Sequence, residues 1–460
     1  MERKGLVIAG LAGGSGKSVV SVGITAAFAR QNRRVVPFKK GPDYIDAGWL
    51  QLAAGRRCYN LDPFFMTRET IQRSFAVHAA DADLVIVEGN RGLYDGVDVE
   101  GGYSTAELAL MLELPVVLVV NCTKTTRTVA AMVLGCQQFD KRLNIKGVVL
   151  NQIATTRQRL LVSESVERYT GIPVIGSIPR LKRDIFPMRH LGMVPHQEYT
   201  DSREALDFLA DLIVENVDLG AFLSIMKTLP DIEPDTSDFG RQGFLCPLPN
   251  VTIGVLQDAA FQFYYSENLE ALENAGATLV ALNALSDPCL PELDGLYIGG
   301  GFPETSAKEL AANISFRQSV KQAADNGLPI YAECGGLIYL GHSIVQEGEE
   351  FPLVGVFPVR FGMSAKPQAH GYTIFHVAKK NAFYEQGVDI KGHEFRYSKV
   401  LDWQGSPEQL IFKMVRGRGF IDGWDGLTYN NVLALYSHIH ADGTPDWAIN
   451  FVNRCRTARS

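Results

Sequence analysis

The stretch Leu6-Val7-Ile8-Ala9-Gly10-Leu11-Ala12-Gly13-Gly14-Ser15-Gly16-Lys17-Ser18 runs from an apolar segment into a turn of small residues, and Val19–Arg30 continues it with helical periodicity. Strand, glycine-rich turn and helix start are the parts of a phosphate-binding loop. Small residues let successive backbone N–H groups converge on an anion at the helix N-terminus, Lys17 adds charge, and the Ser18 hydroxyl can ligate Mg²⁺. The strict spacing of that motif wants glycine where Leu11 stands; Gly10 lies one residue earlier, so the match is to a glycine-rich variant of the loop. Gly13, Gly14, Ser15, Gly16, Lys17 and Ser18 are therefore the candidate nucleotide ligands, with a structural glycine turn as the plainer alternative.

Working outward, short apolar runs at Val35–Phe38, Leu84–Val87, Val116–Val120, Val148–Leu150 and Val174–Ile175 alternate with helical segments such as Thr105–Leu112 and Ser202–Val214. Continuous apolar strands alternating with helices indicate a parallel sheet covered on both faces, so residues 1–228 read as a doubly wound α/β domain. Residues 229–250 contain four prolines among acidic and small polar residues, which opposes both helix and ladder and reads as a linker. Residues 251–460 open a second α/β series at Ile253–Leu256, Leu279–Leu282, Leu296–Ile298 and Ile330–Ala332. Later runs at Val354–Val359, Tyr372–Val377 and Val432–Tyr436 predict a mixed sheet at its end.

Three segments sit where the first domain's strands end. Lys39-Lys40-Gly41-Pro42-Asp43-Tyr44-Ile45-Asp46 pairs carboxylates with cations, which suits Mg²⁺ and an anionic substrate, since hard cations select oxygen. Glu88, closing the run Leu84–Val87, stands where many NTPases hold a metal directly or through water. Ser18, Asp43 and Glu88 are the expected metal ligands. Asn90, Arg91 and Asp95 lie in a glycine-punctuated loop and, with Tyr44, are candidates to face an acceptor; a surface loop with a local ion pair is the alternative. Asn151, at the end of Val148–Leu150, is a candidate adenine reader or an ordinary turn residue.

In the second domain Tyr331-Ala332-Glu333-Cys334-Gly335-Gly336 reads as a strand ending in a cysteine on a sharp turn, with Leu337–Leu340 starting a helix. A nucleophile on such an elbow is exposed, the helix N-terminus favours a thiolate, and backbone N–H groups there can hold an oxyanion. Gly299-Gly300-Gly301 follows the strand Leu296–Ile298 and can aim a second N–H at the same charge. Gly300, Gly301 and Gly335 are the expected oxyanion donors. Tyr436-Ser437-His438-Ile439-His440 offers the base, with His438 preferred; the usual acidic partner two residues on is replaced by His440, so the base is oriented otherwise or works in a dyad.

Composition narrows the class. Charged residues make up 21% and hydrophobic ones 46%, as in a well-packed globular protein, and the net charge of -7 with no basic cluster argues against nucleic acid. The first apolar run is too short for a signal or membrane helix, which predicts a cytoplasmic protein without membrane contact. Seven scattered cysteines with no CxxC pair make a disulfide framework or zinc site unexpected.

These residues together resemble the cobyrinate a,c-diamide synthases, ATP-dependent, glutamine-hydrolysing amidases of tetrapyrrole side-chain carboxylates. The resemblance rests on Gly14–Ser18, Lys40–Asp46, Asn60-Leu61-Asp62-Pro63, Glu88-Gly89 with Gly92–Gly96, Ser104–Ala109, Arg189-His190-Leu191-Gly192, Gly299–Glu304, Ala332–Leu337 and Gly392-His393-Glu394-Phe395. It implies a dethiobiotin-synthetase-like P-loop domain followed by a class I glutamine amidotransferase-like domain. It further implies Cys334 as nucleophile, His438 as its base, and Asp43, Asp46, Glu88 and Asp95 in metal binding and substrate activation. Implied ligands are ATP, Mg²⁺, glutamine as co-substrate and a tetrapyrrole acceptor, with a homodimer possible. Relatives that amidate sirohaem or nickel sirohydrochlorin are separated poorly, because all these acceptors present acetates on a reduced macrocycle. The Gly392–Phe395 motif has no derivable chemistry and is expected on an interdomain or substrate surface. A nucleotide-switch protein with an inert second domain is the rival from another class.

Overall fold

The computed structural model describes residues 2–181, 188–189, 192–199, 201–230 and 250–458, and the chain divides into two units, Met1–Asp235 and Thr236–Ser460. Most of the expected linker, 231–249, lies outside the described residues, as do His190 and Leu191 of the Arg189–Gly192 motif.

In the first unit strands and helices alternate. In order they are β1 (Lys4–Gly10), α1 (Lys17–Arg30), β2 (Val35–Lys40), α2 (Ile45–Ala54), β3 (Tyr59–Leu61), α3 (Arg68–His78) and β4 (Leu84–Glu88). Then come α4 (Thr105–Met111), β5 (Val116–Asn121), α5 (Thr128–Phe139), β6 (Ile145–Ile153), α6 (Thr156–Thr170) and β7 (Val174–Pro179). A short pair, β8 (Met188–Arg189) and β9 (Gly192–Met193), precedes α7 (Ser202–Asn216), α8 (Leu219–Ile225) and β10 (Lys227–Thr228). The sheet order is β3-β2-β4-β1-β5-β6-β7, parallel throughout, with β10 added antiparallel to β1. Every residue of β2 and β4 is buried, including Lys39 and Glu88, as a sheet with helices on both faces requires. Helix starts obey local chemistry: Ser104 Oγ accepts from Glu107 N, giving an orphan N–H of α4 a partner, while the Glu107 carboxylate accepts from Tyr103 N just before the cap.

The second unit contributes β11 (Val251–Leu256), α9 (Ser266–Asn274), β12 (Ala277–Leu282), β13 (Gly295–Ile298), α10 (Ala307–Ala312), α11 (Ile314–Asp325), β14 (Ile330–Glu333) and α12 (Gly335–Leu340). Next are β15 (Ser343–Gln346), β16 (Glu349–Pro352), β17 (Val359–Met363), β18 (Ala369–Val377), β19 (Asp389–Arg396) and β20 (Ser398–Trp403). The unit ends with β21 (Leu410–Arg416), β22 (Trp424–Tyr429), β23 (Val432–Leu435), β24 (His438–Ile439) and α13 (Asp446–Ala458). Its main sheet runs β12-β11-β13-β14-β23-β22-β21-β18-β19-β24, parallel from β12 to β23 and antiparallel beyond, which is the mixed sheet expected. Apolar clusters cover both of its faces.

One expected strand is displaced. Val354–Phe357 is irregular and the ladder begins at Val359. The N–H groups of Val354, Gly355 and Phe357 go to the carbonyls of Tyr339, Gly341 and Leu340 at the end of α12. Pro352 and Pro358 bracket the segment, and neither can donate to a ladder.

Candidate active site

The phosphate loop joins β1 to α1. Ser15 closes it, its hydroxyl accepting from Ala12 N at 3.1 Å and donating to Ala12 O at 2.9 Å. Gly16 has φ 93°, and a Cβ there would lie 1.9 Å from Asn151 Nδ2, so both its conformation and its neighbour require glycine. Asn151 donates to Ser15 O at 3.0 Å and accepts from Gln152 N at 2.9 Å. The amide expected to read adenine thus braces the loop from β6. Lys17 Nζ donates to Arg91 O at 2.8 Å and Ala12 O at 3.4 Å, and burial, then the nearby Lys39 charge, lowers its pKa.

Beside the loop, the ends of β2, α2 and β4 bring Lys39, Asp43, Asp46 and Glu88 to Ser18. Lys39 Nζ, 1% exposed, lies 2.5 Å from Asp46 Oδ2, 2.9 Å from Glu88 Oε1 and 3.5 Å from Asp43 Oδ2. Ser18 Oγ donates to Glu88 at 2.9 Å and Asp46 at 3.1 Å. Burial opposes the Lys39 charge, yet Asp46, Glu88 and Asp43 outweigh it and hold its pKa well above the usual value. Burial also pushes Glu88 up to about 7, against the pull of Lys39. For Asp43 burial and the charge of Asp46 raise it to about 6. Asp46 stays low because Lys39 overrides the effect of burial. Lys39 stands at the centre of this group, a role its place in the Lys39–Asp46 motif signalled only as one of two cations. Asp43 Oδ1 caps the start of α2, accepting from Ile45 N and Asp46 N.

The expected acceptor-facing loop follows β4. Arg91 is exposed and has φ 51°, and its carbonyl receives Lys17. Asp95 Oδ2 accepts from Gly92 N at 2.8 Å and shapes its own loop. Asn90 Nδ2 would lie 3.0 Å from a Cβ at Gly41, so this loop and the Lys39–Asp46 loop adjoin. Tyr44 sits at the start of α2 in the same neighbourhood.

In the second unit Cys334 occupies the elbow between β14 and α12 with φ 47° and ψ -94°; contrary to the exposed side chain expected there, it is 6% exposed, because it packs into the apolar cluster under α12. Its backbone angles give a sparsely populated conformation for a residue with a Cβ, held by Cys334 N donating to Leu435 O at 2.7 Å and Ile338 N to Cys334 O at 3.0 Å. The Gly299–Gly301 turn lies against it. Gly300 O accepts from both Gln262 N at 2.9 Å and Phe263 N at 3.0 Å. In a trans peptide the carbonyl and the next N–H point in opposite directions, so pinning this oxygen aims the Gly301 N–H away from the 262–263 loop. A Cβ at Gly335 would meet Gly301 N at 3.0 Å, placing that donor at the elbow. Gly299 N is taken up separately by the Tyr264 hydroxyl, which donates on to Leu256 O.

His438, 2% exposed, completes the group. A Cβ at Gly300 would lie 2.4 Å from its Cε1, so glycine is what lets the ring approach the turn. Its Nδ1 is 3.3 Å from Glu333 Oε2, and His393 stacks on it with ring centroids 4.9 Å apart. Burial works against an imidazolium, but hydrogen bonds to Cys334 and Glu333 raise the His438 pKa to about 10. Burial and the His438 charge keep His393 well below its usual pKa. The segment leading to His438 is clamped by Asp425, which accepts from Tyr436 N and Ser437 N; burial and Glu394 raise its carboxyl to about 7.

The Gly392–Phe395 motif needs correction. It belongs to β19 inside the sheet, with His393 and Glu394 4% and 1% exposed, because β19 lies between β18 and β24 and turns His393 onto the base. Glu333 and Asp425 were not singled out as site residues, and for Glu333 the available signal was its place beside Cys334. Among the described residues the cysteines are free thiols, no helix is long and apolar enough to cross a membrane, and no trio of His, Cys, Asp or Glu could hold a metal unaided.

Comparison with known proteins agrees with the two-unit division of chemistry. Residues 6–191 match the family model of CobQ/CobB/MinD/ParA nucleotide binding domains, and residues 252–446 that of CobB/CobQ-like glutamine amidotransferase domains. A cobyrinate a,c-diamide synthase of Magnetococcus marinus is 41% identical over 440 residues, 94% of this chain and 93% of the relative. One from Methanothermobacter thermautotrophicus is 40% identical over 449 residues, covering 97% and 98%. One from Listeria monocytogenes is 37% identical over 437 residues, covering 95% and 96%.

Proposed function

This chain belongs to the cobyrinate a,c-diamide synthase family, and from that premise we propose that it amidates the a and c acetate carboxylates of cobyrinate. It is a glutamine-dependent, ATP-using amidating ligase.

In the second unit His438 holds the Sγ proton, and Cys334 attacks the glutamine side-chain carbonyl as the thiolate of that pair. The oxyanion is met by the Gly301 and Gly335 N–H groups. Collapse breaks the C–N bond, His438 returns the proton to the leaving nitrogen, and water hydrolyses the thioester to glutamate. In the first unit an acetate oxygen attacks the γ-phosphorus of ATP, giving an acyl phosphate and ADP. Ammonia then displaces phosphate, and a second round gives the diamide. Lys17 and the loop N–H groups hold the phosphates, and Tyr44, Asn90 and Arg91 favour the anionic acceptor.

Mg²⁺ fits the donor set at Ser18, Asp46 and Glu88, with Asp46 in place of the expected Asp43, whose Oδ1 is committed to the N–H groups of Ile45 and Asp46: Glu88 Oε2 is buried with no hydrogen-bond partner, and these oxygens suit a hard cation that takes its remaining ligands from phosphate and water. Bound there, it would neutralise charge on the β- and γ-phosphates. We place the reaction in the cytoplasm, where ATP and glutamine are supplied.

The observation that carries this reading is one chain combining an elbow cysteine, a buried histidine seated against the adjoining Gly300 turn and paired with Glu333, and a phosphate loop whose serine meets Asp46 and Glu88. Mass spectrometry of the product, with cobyrinate, sirohaem and sirohydrochlorin offered side by side with ATP and glutamine, tests it. Preferential gain of two amides on cobyrinate is expected; preferential amidation of either other macrocycle would replace the acceptor.

A further inference from the structure

The position two residues beyond the base, where an acid is usual, holds His440, and that ring is engaged elsewhere. Its Nε2 lies 3.7 Å from Glu267 Oε1 and its face packs on Tyr265. The carboxylate at the base comes instead from the residue that precedes the nucleophile. Glu333 is the last residue of β14 and Cys334 follows it on the elbow at φ 47°, where the backbone leaves the strand and the two side chains part. Cys334 joins the cluster on one face and Glu333 shares the other with Tyr331 and Tyr297. β24 then brings His438 across the strand end, where one ring reaches both residues.

We infer that Glu333 is the positioning residue of the glutaminase site, fixing the His438 tautomer and balancing the imidazolium that forms when the ring takes the Cys334 proton. The inference rests on the glutaminase reading of Cys334 and His438. Glu333 is 1% exposed; its Oε2 is 3.3 Å from His438 Nδ1 and its Oε1 accepts from Ile439 N at 3.3 Å. The Tyr297 hydroxyl adds a longer contact at 3.4 Å. A carboxylate only accepts, so it draws the ring proton to Nδ1 and leaves the Nε2 lone pair for the thiol. The Ile439 bond would be served equally by a neutral amide. What asks for a charge is the imidazolium, buried beside Gly300 where water cannot solvate it. The other titratable groups around His438 are Cys334 itself, His393 stacked from β19 and, two residues along, His440 with Glu267. His393 is neutral, and Glu267 is turned to His440. No proton passes to Glu333 in the cycle. It shuttles between Sγ, Nε2 and the leaving nitrogen.

The test is Glu333→Gln in the full-length protein, which keeps size and an acceptor oxygen but removes the charge. Glutaminase kcat is expected to fall roughly 10²- to 10⁴-fold with KM for glutamine nearly unchanged. The alkaline limb of its pH profile should move down by about one pH unit or more, the weight of a charge-assisted hydrogen bond. Glu333→Asp, which keeps the charge but shortens the reach, should recover part of the limb. Ammonia-dependent amidation, which bypasses this site, should persist in both variants and reports that the chain is folded. A Glu333→Gln enzyme with the parent pH profile and kcat would overturn the inference, as would a limb that Asp does not restore. Failure of the underlying reading is distinguished by Cys334→Ala: if that variant still hydrolyses glutamine, the nucleophile itself is misassigned.

Discussion

The two reaction centres are held in different ways. Around Ser18 the arrangement is electrostatic: a fully buried ammonium faces three carboxylates, and Glu88 Oε2 has no partner. Around Cys334 the arrangement is made by backbone: a carbonyl pinned by two N–H groups, an elbow held at φ 47° and a base seated against Gly300. A charged cluster whose members can exchange partners is suited to a site that must admit anionic phosphate and a metal. A backbone frame is suited to one that must meet a transition state with donors already aimed. The difference therefore predicts unequal responses to substitution in the two units.

The largest effect is expected from Cys334→Ala, which should lower glutamine-dependent amidation roughly 10⁴-fold or more while leaving ammonia-dependent amidation in place; rates with each nitrogen source measure this. Equal loss of both in a folded variant would mean the two centres are not separable. Next, Glu88→Gln should reduce ADP release and acyl phosphate formation roughly 10²- to 10³-fold while glutamine hydrolysis continues at its basal rate. Full amidation by that variant would remove Glu88 from the reaction and the contrast with it.

Gly300→Ala probes the backbone frame, because its Cβ would intrude on His438 Cε1 at 2.4 Å. Displacing the base by a fraction of an ångström or more should cost glutaminase kcat roughly 10²-fold, and an unaffected rate would show that the ring adapts. The pH dependence follows from the same ring. A pKa raised to about 10 keeps His438 protonated up to that pH, so activity that depends on the thiolate–imidazolium pair persists below it and declines as pH rises through it; a pH–rate profile of glutamine hydrolysis would show the limb. The smallest effect belongs to Asn151→Ala, which removes one brace of the phosphate loop and should raise KM for ATP by about fivefold, the worth of one hydrogen bond. If selectivity for ATP over GTP collapses instead, Asn151 reads the base as well.

Much of this was legible in the residues. Leu6–Ser18 announces strand, loop and helix in order, and Ala332–Leu337 announces the elbow, because local propensity and turn chemistry agree with the tertiary fold at both places. Lys39 was visible as a cation but not as the hub of three carboxylates, since that depends on β2 and β4 pairing side by side. His393 looked like surface because its partner is 45 residues further along, on a strand that returns to the edge of the sheet. Val354–Val359 misled by composition: its apolar residues are buried as expected, but its N–H groups serve a helix end.

The clamp on Gly300 has a corollary for variation. Its two donors are main-chain groups of Gln262 and Phe263, so the clamp itself asks for no particular side chain at either position, although the Phe263 ring also packs on Phe302 beside the turn. Replacement of Gln262 is thus the change that the clamp should tolerate best. Proline is the exception: at either position it would delete a donor and release the carbonyl.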